Sequence, residues 1–173
     1  MQELFEIAIQ GYTPISNVLA FNDGEERTIP YYISELFQKR KDKQWCTINE
    51  VRSFLSIPYA KVLSREQIGS CRFNPKFKIG EDSLFVFEMS DKIEKVKCTS
   101  ENAVYHRRYR VGSAITSKPN LKYLILNLIS IQAETLCVWV KNPFSYNFVF
   151  FLSRILGPIK VFFIRLKKIR YEF

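Results

Sequence analysis

The chain has a single histidine, His106, in 173 residues. Imidazole chemistry therefore has one candidate. Its arginine neighbours make it a poor general base, because nearby positive charge disfavours taking up a proton. Four cysteines, Cys46, Cys71, Cys98 and Cys137, lie far apart and form no C-x-x-C pair. Structural zinc sites need closely spaced ligand pairs, so no metal is expected. Met1-Gln2-Glu3-Leu4 opens without basic residues or a long apolar run. A secretory leader and a disulfide framework are not expected, and the thiols should be buried and reduced. Glycine is scarce, at 6 residues, and proline at 7. That excludes collagen-like and low-complexity chains, and no Gly-rich phosphate loop is present. The most apolar stretch, residues 144–166, is broken by Arg154, Gly157, Pro158 and Lys160. Charge at membrane depth is costly, so no membrane partner is expected.

Aromatic residues, in contrast, are plentiful, with 15 Phe, 9 Tyr and 2 Trp. A chain that is 47% hydrophobic and 25% charged can bury a real core as one domain or two very small ones. The net charge is +9. Residues 1–45 carry 5 Lys/Arg against 7 Asp/Glu, residues 46–99 carry 9 against 7, and residues 100–173 carry 12 against 3. The whole excess thus belongs to the last third. Such a balance favours acidic partners, nucleic acid first.

Local patterns predict several elements. Asn22-Asp23-Gly24 is a turn signal. Residues 30–40 read as a helix with Pro30 at its first position. Thr47 with Glu50 three residues later forms a capping box before Val51, Phe54 and Leu55. Pro58 can open a second short helix anchored by Val62 and stopped at Gly69. Phe77-Lys78-Ile79-Gly80 and Leu84-Phe85-Val86-Phe87 read as two short strands around a turn, with a further helix over residues 90–96. The C-terminal half reads as strand, strand, helix, strand. Its helix, over residues 146–156, should end at Gly157-Pro158, and residues 159–171 are β-prone.

Residues 46–97 resemble the winged helix-turn-helix of excisionase and MerR-type DNA-binding domains. The elements that carry the resemblance are Thr47, Glu50, Val51, Leu55, Ser56, Ile57, Pro58, Val62 and Gly69, then the Phe77–Gly80 wing, the Leu84–Phe87 strand and Ser90-Asp91-Lys92-Ile93. The resemblance implies a recognition helix in a major groove, with Tyr59, Lys61, Ser64 and Arg65 facing the DNA. Arg72, Lys76 and Lys78 would lie on or near the wing, beside the phosphate backbone.

Two features lie outside that stretch. His106-Arg107-Arg108-Tyr109-Arg110 is a basic cluster in which Arg107, Arg108 and Arg110 could clamp phosphates, with Tyr109 stacking on a base or packing inward. Phe148-Val149-Phe150-Phe151 fits a core, or an interface with a protein partner or a second copy. Glu81-Asp82 and Glu88-Asp91 lack metal-specific spacing, so neither an enzyme nor a cofactor is expected. The expectation is an α+β chain with a central winged helix-turn-helix and a basic, β-containing C-terminal region. Its segments would be residues 1–45, 46–98 and 99–173. Its expected role is intracellular, non-enzymatic binding of duplex DNA. The alternative is a scaffold subunit using the winged helix and the Phe-rich half for protein contacts.

Overall fold

The computed structural model describes residues 1–110 and 120–171. Helix α1 (Gln2–Ile9) buries Leu4 and Ile7 and leads into two consecutive strands, β1 (Thr13–Ile15) and β2 (Asn17–Asn22). The turn expected at Asn22-Asp23-Gly24 is present, with Gly24 at φ +80°, and returns the chain as β3 (Thr28–Ile29) antiparallel to β2. Helix α2 (Tyr32–Gln38) follows, and Ile33 and Phe37, one turn apart, enter the core.

Thr47 and Glu50 form half of the predicted capping box, with the Glu50 amide bonding the Thr47 carbonyl instead of its hydroxyl. The Glu50 carboxylate accepts from the Thr47 amide at 3.0 Å and its hydroxyl at 3.1 Å. A bond from Lys43, joined by those from Thr47, holds the Glu50 carboxyl down at about 2. Val51, Phe54 and Leu55 are fully buried as expected, yet the segment is a set of turns ending in a 3-10 turn at Phe54–Ser56. The second helix also departs from expectation. Ala60 sits at φ +59°, which no helix accommodates, and its carbonyl accepts from the Ser16 amide at 2.9 Å. Residues 58–64 are therefore held along β1. Only α3 (Arg65–Ile68) is helical, with Ser64 and Gln67 forming the capping box and Gly69 ending it at φ +51°.

The two wing strands are absent from the described structure. Residues 77–80 form no strand, and Leu84–Phe87 lies within helix α4 (Glu81–Glu88). Glu81 and Asp82 in its first turn suit the positive end of a helix dipole. Its aromatic run is packed on more than one side: Phe87 is buried and Phe85 stacks on Phe73 at 4.1 Å. An all-round apolar segment carries no period that separates a buried helix from a strand.

The chain then pairs with its own beginning. β4 (Val96–Cys98) lies parallel to β1, and β5 (Val104–Tyr109) lies parallel to β2, giving the strand order β3-β2-β5 in the larger sheet. One core runs from Ile15 through Val51, Phe87 and Val96 to Phe150. The boundaries drawn at 45/46 and 98/99 therefore coincide with no break in packing.

The last part is helical where strands were expected. Helix α5 (Leu121–Lys141) is capped by Asn120, whose side chain accepts from the Lys122 amide at 2.8 Å. Helix α6 (Phe148–Tyr171) begins at Asn147, whose side chain accepts from the Phe150 amide at 2.9 Å. It continues through Gly157-Pro158 instead of stopping. Proline removes one backbone donor and crowds the carbonyls one turn back. In that turn, Gln132 of α5 supplies a bond to the Ile155 carbonyl at 2.8 Å. The fold is thus α+β, as expected, and among the described residues β structure is confined to the first 110 and the basic region is mostly helical.

Candidate interaction surface

The predicted nucleic-acid contacts do not line one helix. Tyr59 and Arg107 do come together, but around each other. The Arg107 guanidinium lies 4.8 Å from the Tyr31 ring centre, 5.5 Å from Tyr59 and 4.6 Å from Tyr109, and it donates to the Tyr31 hydroxyl. The Tyr31 and Tyr59 hydroxyls share a 2.9 Å hydrogen bond, and Tyr59 stacks on Tyr105 at 4.7 Å. Burial raises both phenols above their ordinary range, so this is a neutral, cation-centred tyrosine cluster. Alternation along β5 puts Tyr105, Arg107 and Tyr109 on one side of the sheet.

The other candidates are dispersed. Arg108 faces Asp23 at 3.6 Å, and Arg110 also has a partner. Lys61 is half-buried, donating to the Ile57 carbonyl and, at 3.3 Å, to the Tyr59 carbonyl. Burial pulls its pKa down to about 7, against the opposing pull of Asp82. Ser64 is occupied as the cap of α3. Arg72 folds back onto the carbonyls of Gly69 at 3.1 Å and Cys71 at 2.7 Å. Arg65, Lys76 and Lys78 are exposed. Seven of the ten thus already have a partner within the protein, and Arg65, Lys76 and Lys78 are the exposed remainder.

Thiol burial was half foreseen. Cys46 and Cys98 are buried, and burial pushes Cys98 up to about 12, but Cys71 is only half-buried and Cys137 is exposed.

The largest unexplained surface is the α5–α6 hairpin. The two helices run antiparallel, since Gln132 meets Ile155 while Trp139, one helical stretch later, stacks on Phe151 at 4.6 Å. Both helices are apolar on their exposed side as well as on the side that meets the protein. Some polar side chains of α5 turn inward: half-buried Asn127 donates to the Ile79 carbonyl at 3.1 Å and buried Thr135 to the Ile131 carbonyl at 2.7 Å, while Lys122, Ser130 and Lys141 are exposed. Its apolar side chains face out, with Leu126 54%, Ile129 61% and Val140 60% exposed. On α6, Val149, Leu152, Leu156 and Phe163 are exposed in the same way, while Arg154 is buried. Phe144, in the connecting loop, is wholly exposed. Glu134 is the one acid in these two helices, and it is half-buried.

Three of the interruptions that argued against a membrane partner thereby change meaning. Arg154 points into the protein, and Gly157-Pro158 does not end the helix. Lys160 stays an exposed charge, at the middle of α6. Helix α5 is long and apolar enough to cross a membrane by length and composition.

Compared with models of known protein families and with curated proteins, the chain matches none.

Proposed function

We propose that the chain is a non-enzymatic interaction module that docks through its α5–α6 hairpin, and that the surface it docks on is an anionic lipid bilayer. The observation that carries this reading is the outer side of the hairpin: a broad exposed apolar face with no exposed carboxylate on either helix among the described residues. Lys122, Lys141 and Lys160 are exposed on the same two helices. Apolar side chains beside cations suit a helix lying in the plane of a negatively charged membrane interface. Lying in the plane fits better than spanning, because the inner face of α5 packs on α4 along Leu124, Ile131 and Thr135. The cytoplasmic leaflet, which is anionic, agrees with the intracellular setting expected from the sequence.

The test is cosedimentation of the full chain with vesicles of phosphatidylcholine alone or mixed with phosphatidylserine. Binding to the mixed vesicles, weakened by salt, supports the reading. A chain that stays in solution with both vesicle types overturns it, and a stable dimer under those conditions gives the hairpin to a second copy instead.

Binding of duplex DNA stands as a second reading. It is supported by Arg65, Lys76 and Lys78, which are exposed, and by the +9 charge. It calls for a duplex shift at low salt that Arg65→Ala weakens by roughly 1–3 kcal/mol at a specific site.

A further inference from the structure

A cavity of about 320 Å³ lies between α4, α5 and α6. Leu84, Leu124, Leu128, Ile131, Pro158 and Phe162 form its apolar body. Tyr32, Ser56, Ser83, Ser153 and Arg154 also line it. Arg154 is the unusual member. It is only 7% exposed, and among the described residues no carboxylate pairs with it. Its Nη1 donates to Ser56 Oγ at 2.6 Å and to Ser83 Oγ at 2.8 Å; its Nη2 donates to the Arg52 carbonyl at 2.8 Å; its Nε reaches Ser153 Oγ at 3.4 Å. A guanidinium has five N–H donors, so one on Nη2 is left over. All the acceptors are neutral. The charge therefore sits in the interior without a counter-ion, a costly arrangement unless something else supplies one.

The surroundings sharpen this. Burial pulls the Arg154 pKa down to about 10, and Arg52 adds to the local positive field. Lys61 is a further cation close enough to feel Arg154. Asp82, the acid of this neighbourhood, acts on Lys61 and makes no ion pair with Arg154. On the other side the guanidinium lies over the Phe150 ring at 4.5 Å, which leaves the cavity side to an anion.

We propose that this cavity binds a small amphipathic monocarboxylate, with its carboxylate on Arg154 and its apolar tail between α5 and α6. At about 30 Å³ for a water-sized group, the cavity takes about ten non-hydrogen atoms. That size fits a medium-chain or arylalkyl acid. The remaining Nη2 N–H can give a carboxylate one charge-assisted hydrogen bond, and the serine hydroxyls that now accept from Arg154 can rotate to donate to it. The site is independent of the bilayer reading, since it is lined by the inner faces of the same helices and needs no vesicle.

The experiment is calorimetric titration of the full chain, without lipid, using decanoate, decanol and decylammonium as probes. Decanoate should bind at one site roughly tenfold or more tighter than decanol, and decylammonium should not bind. Leu128→Trp, which fills the cavity and leaves Arg154 alone, should abolish binding of both decanoate and decanol. Arg154→Met should remove the preference for the acid. Equal affinity for decanoate and decanol in the unmodified chain overturns the proposal, as does decanoate binding that survives Leu128→Trp or no binding at all. The probe series uses only the native protein, so the proposal stays testable even if Arg154→Met fails to fold.

Discussion

Removing apolar area from the exposed side of the hairpin should release the protein from membranes without unfolding it. The perturbation is Ile129→Ser with Leu156→Ser, one on each helix. Both side chains are 61% exposed, so the folded chain leaves most of their apolar area in water. Fully burying such a side chain stabilises by about 1.5–3 kcal/mol. Roughly three-fifths of that remains to be gained on docking, so each substitution should cost about 1–2 kcal/mol of membrane affinity. Together they should weaken partitioning roughly 30- to 700-fold at about 1.4 kcal/mol per factor of ten. Stability should hardly move, because surface substitutions away from special contacts stay within about 0.5 kcal/mol. The assay is binding to phosphatidylserine-containing vesicles as a function of lipid concentration, alongside thermal unfolding of the free protein. Partitioning unchanged within twofold would refute the reasoning, since it would mean that this face never meets lipid. A large loss of thermal stability would refute it differently, by showing that the two side chains serve the fold.

Arg107→Met should cost about 1–3 kcal/mol in denaturant unfolding, because the bond to the Tyr31 hydroxyl and three ring contacts are lost together. A variant of unchanged stability that lost DNA affinity would return Arg107 to the role of a phosphate contact. Lys61 predicts a pH dependence. Its pKa falls from 10.5 in the unfolded reference to about 7 in the fold, so the unfolded chain holds the proton more tightly. Stability should therefore rise with pH between those values, by at most about 1.4 kcal/mol per unit. Lys61→Met should flatten that part of the profile relative to the parent chain, and identical slopes in the two proteins would count against a buried, proton-shedding lysine.

Some of this architecture is legible in local sequence. Val51, Phe54 and Leu55 are core residues in the pattern and in the fold, Thr47 meets Glu50, and Gly69 ends a helix. These depend on neighbours within a few residues. The central helices were not legible for the same reason. Pro58 is a good helix opener, but the Ser16 amide takes the Ala60 carbonyl and holds that stretch against β1. Leu84–Phe87 is β-prone alone, but α4 is apolar on several faces and its acidic first turn favours a helix. The basic run at residues 106–110 falls on β5, the outer strand of the larger sheet, up to Tyr109. Arg107 is nevertheless satisfied by Tyr31 and Tyr59, which lie far away in the chain.

Composition by itself determined that the chain can bury a core, that it lacks the ligand pairs of a zinc site, and that its positive excess lies in the last third. Those are sums over residues and need no coordinates. Only the tertiary structure decided which way each side chain faces. The parallel pairing of β2 with β5 brings together segments more than eighty residues apart, and nothing local encodes that register. The same holds for α5 and α6. Their sequences are apolar nearly all round, so periodicity could not say which face meets the protein. Packing against α4 turned Asn127, Thr135 and Arg154 inward and left Ile129 and Leu156 in water. A charge that looked like a break in an apolar run became the buried end of a cavity, because the cost of an unpaired arginine is set by its surroundings and not by its place in the chain.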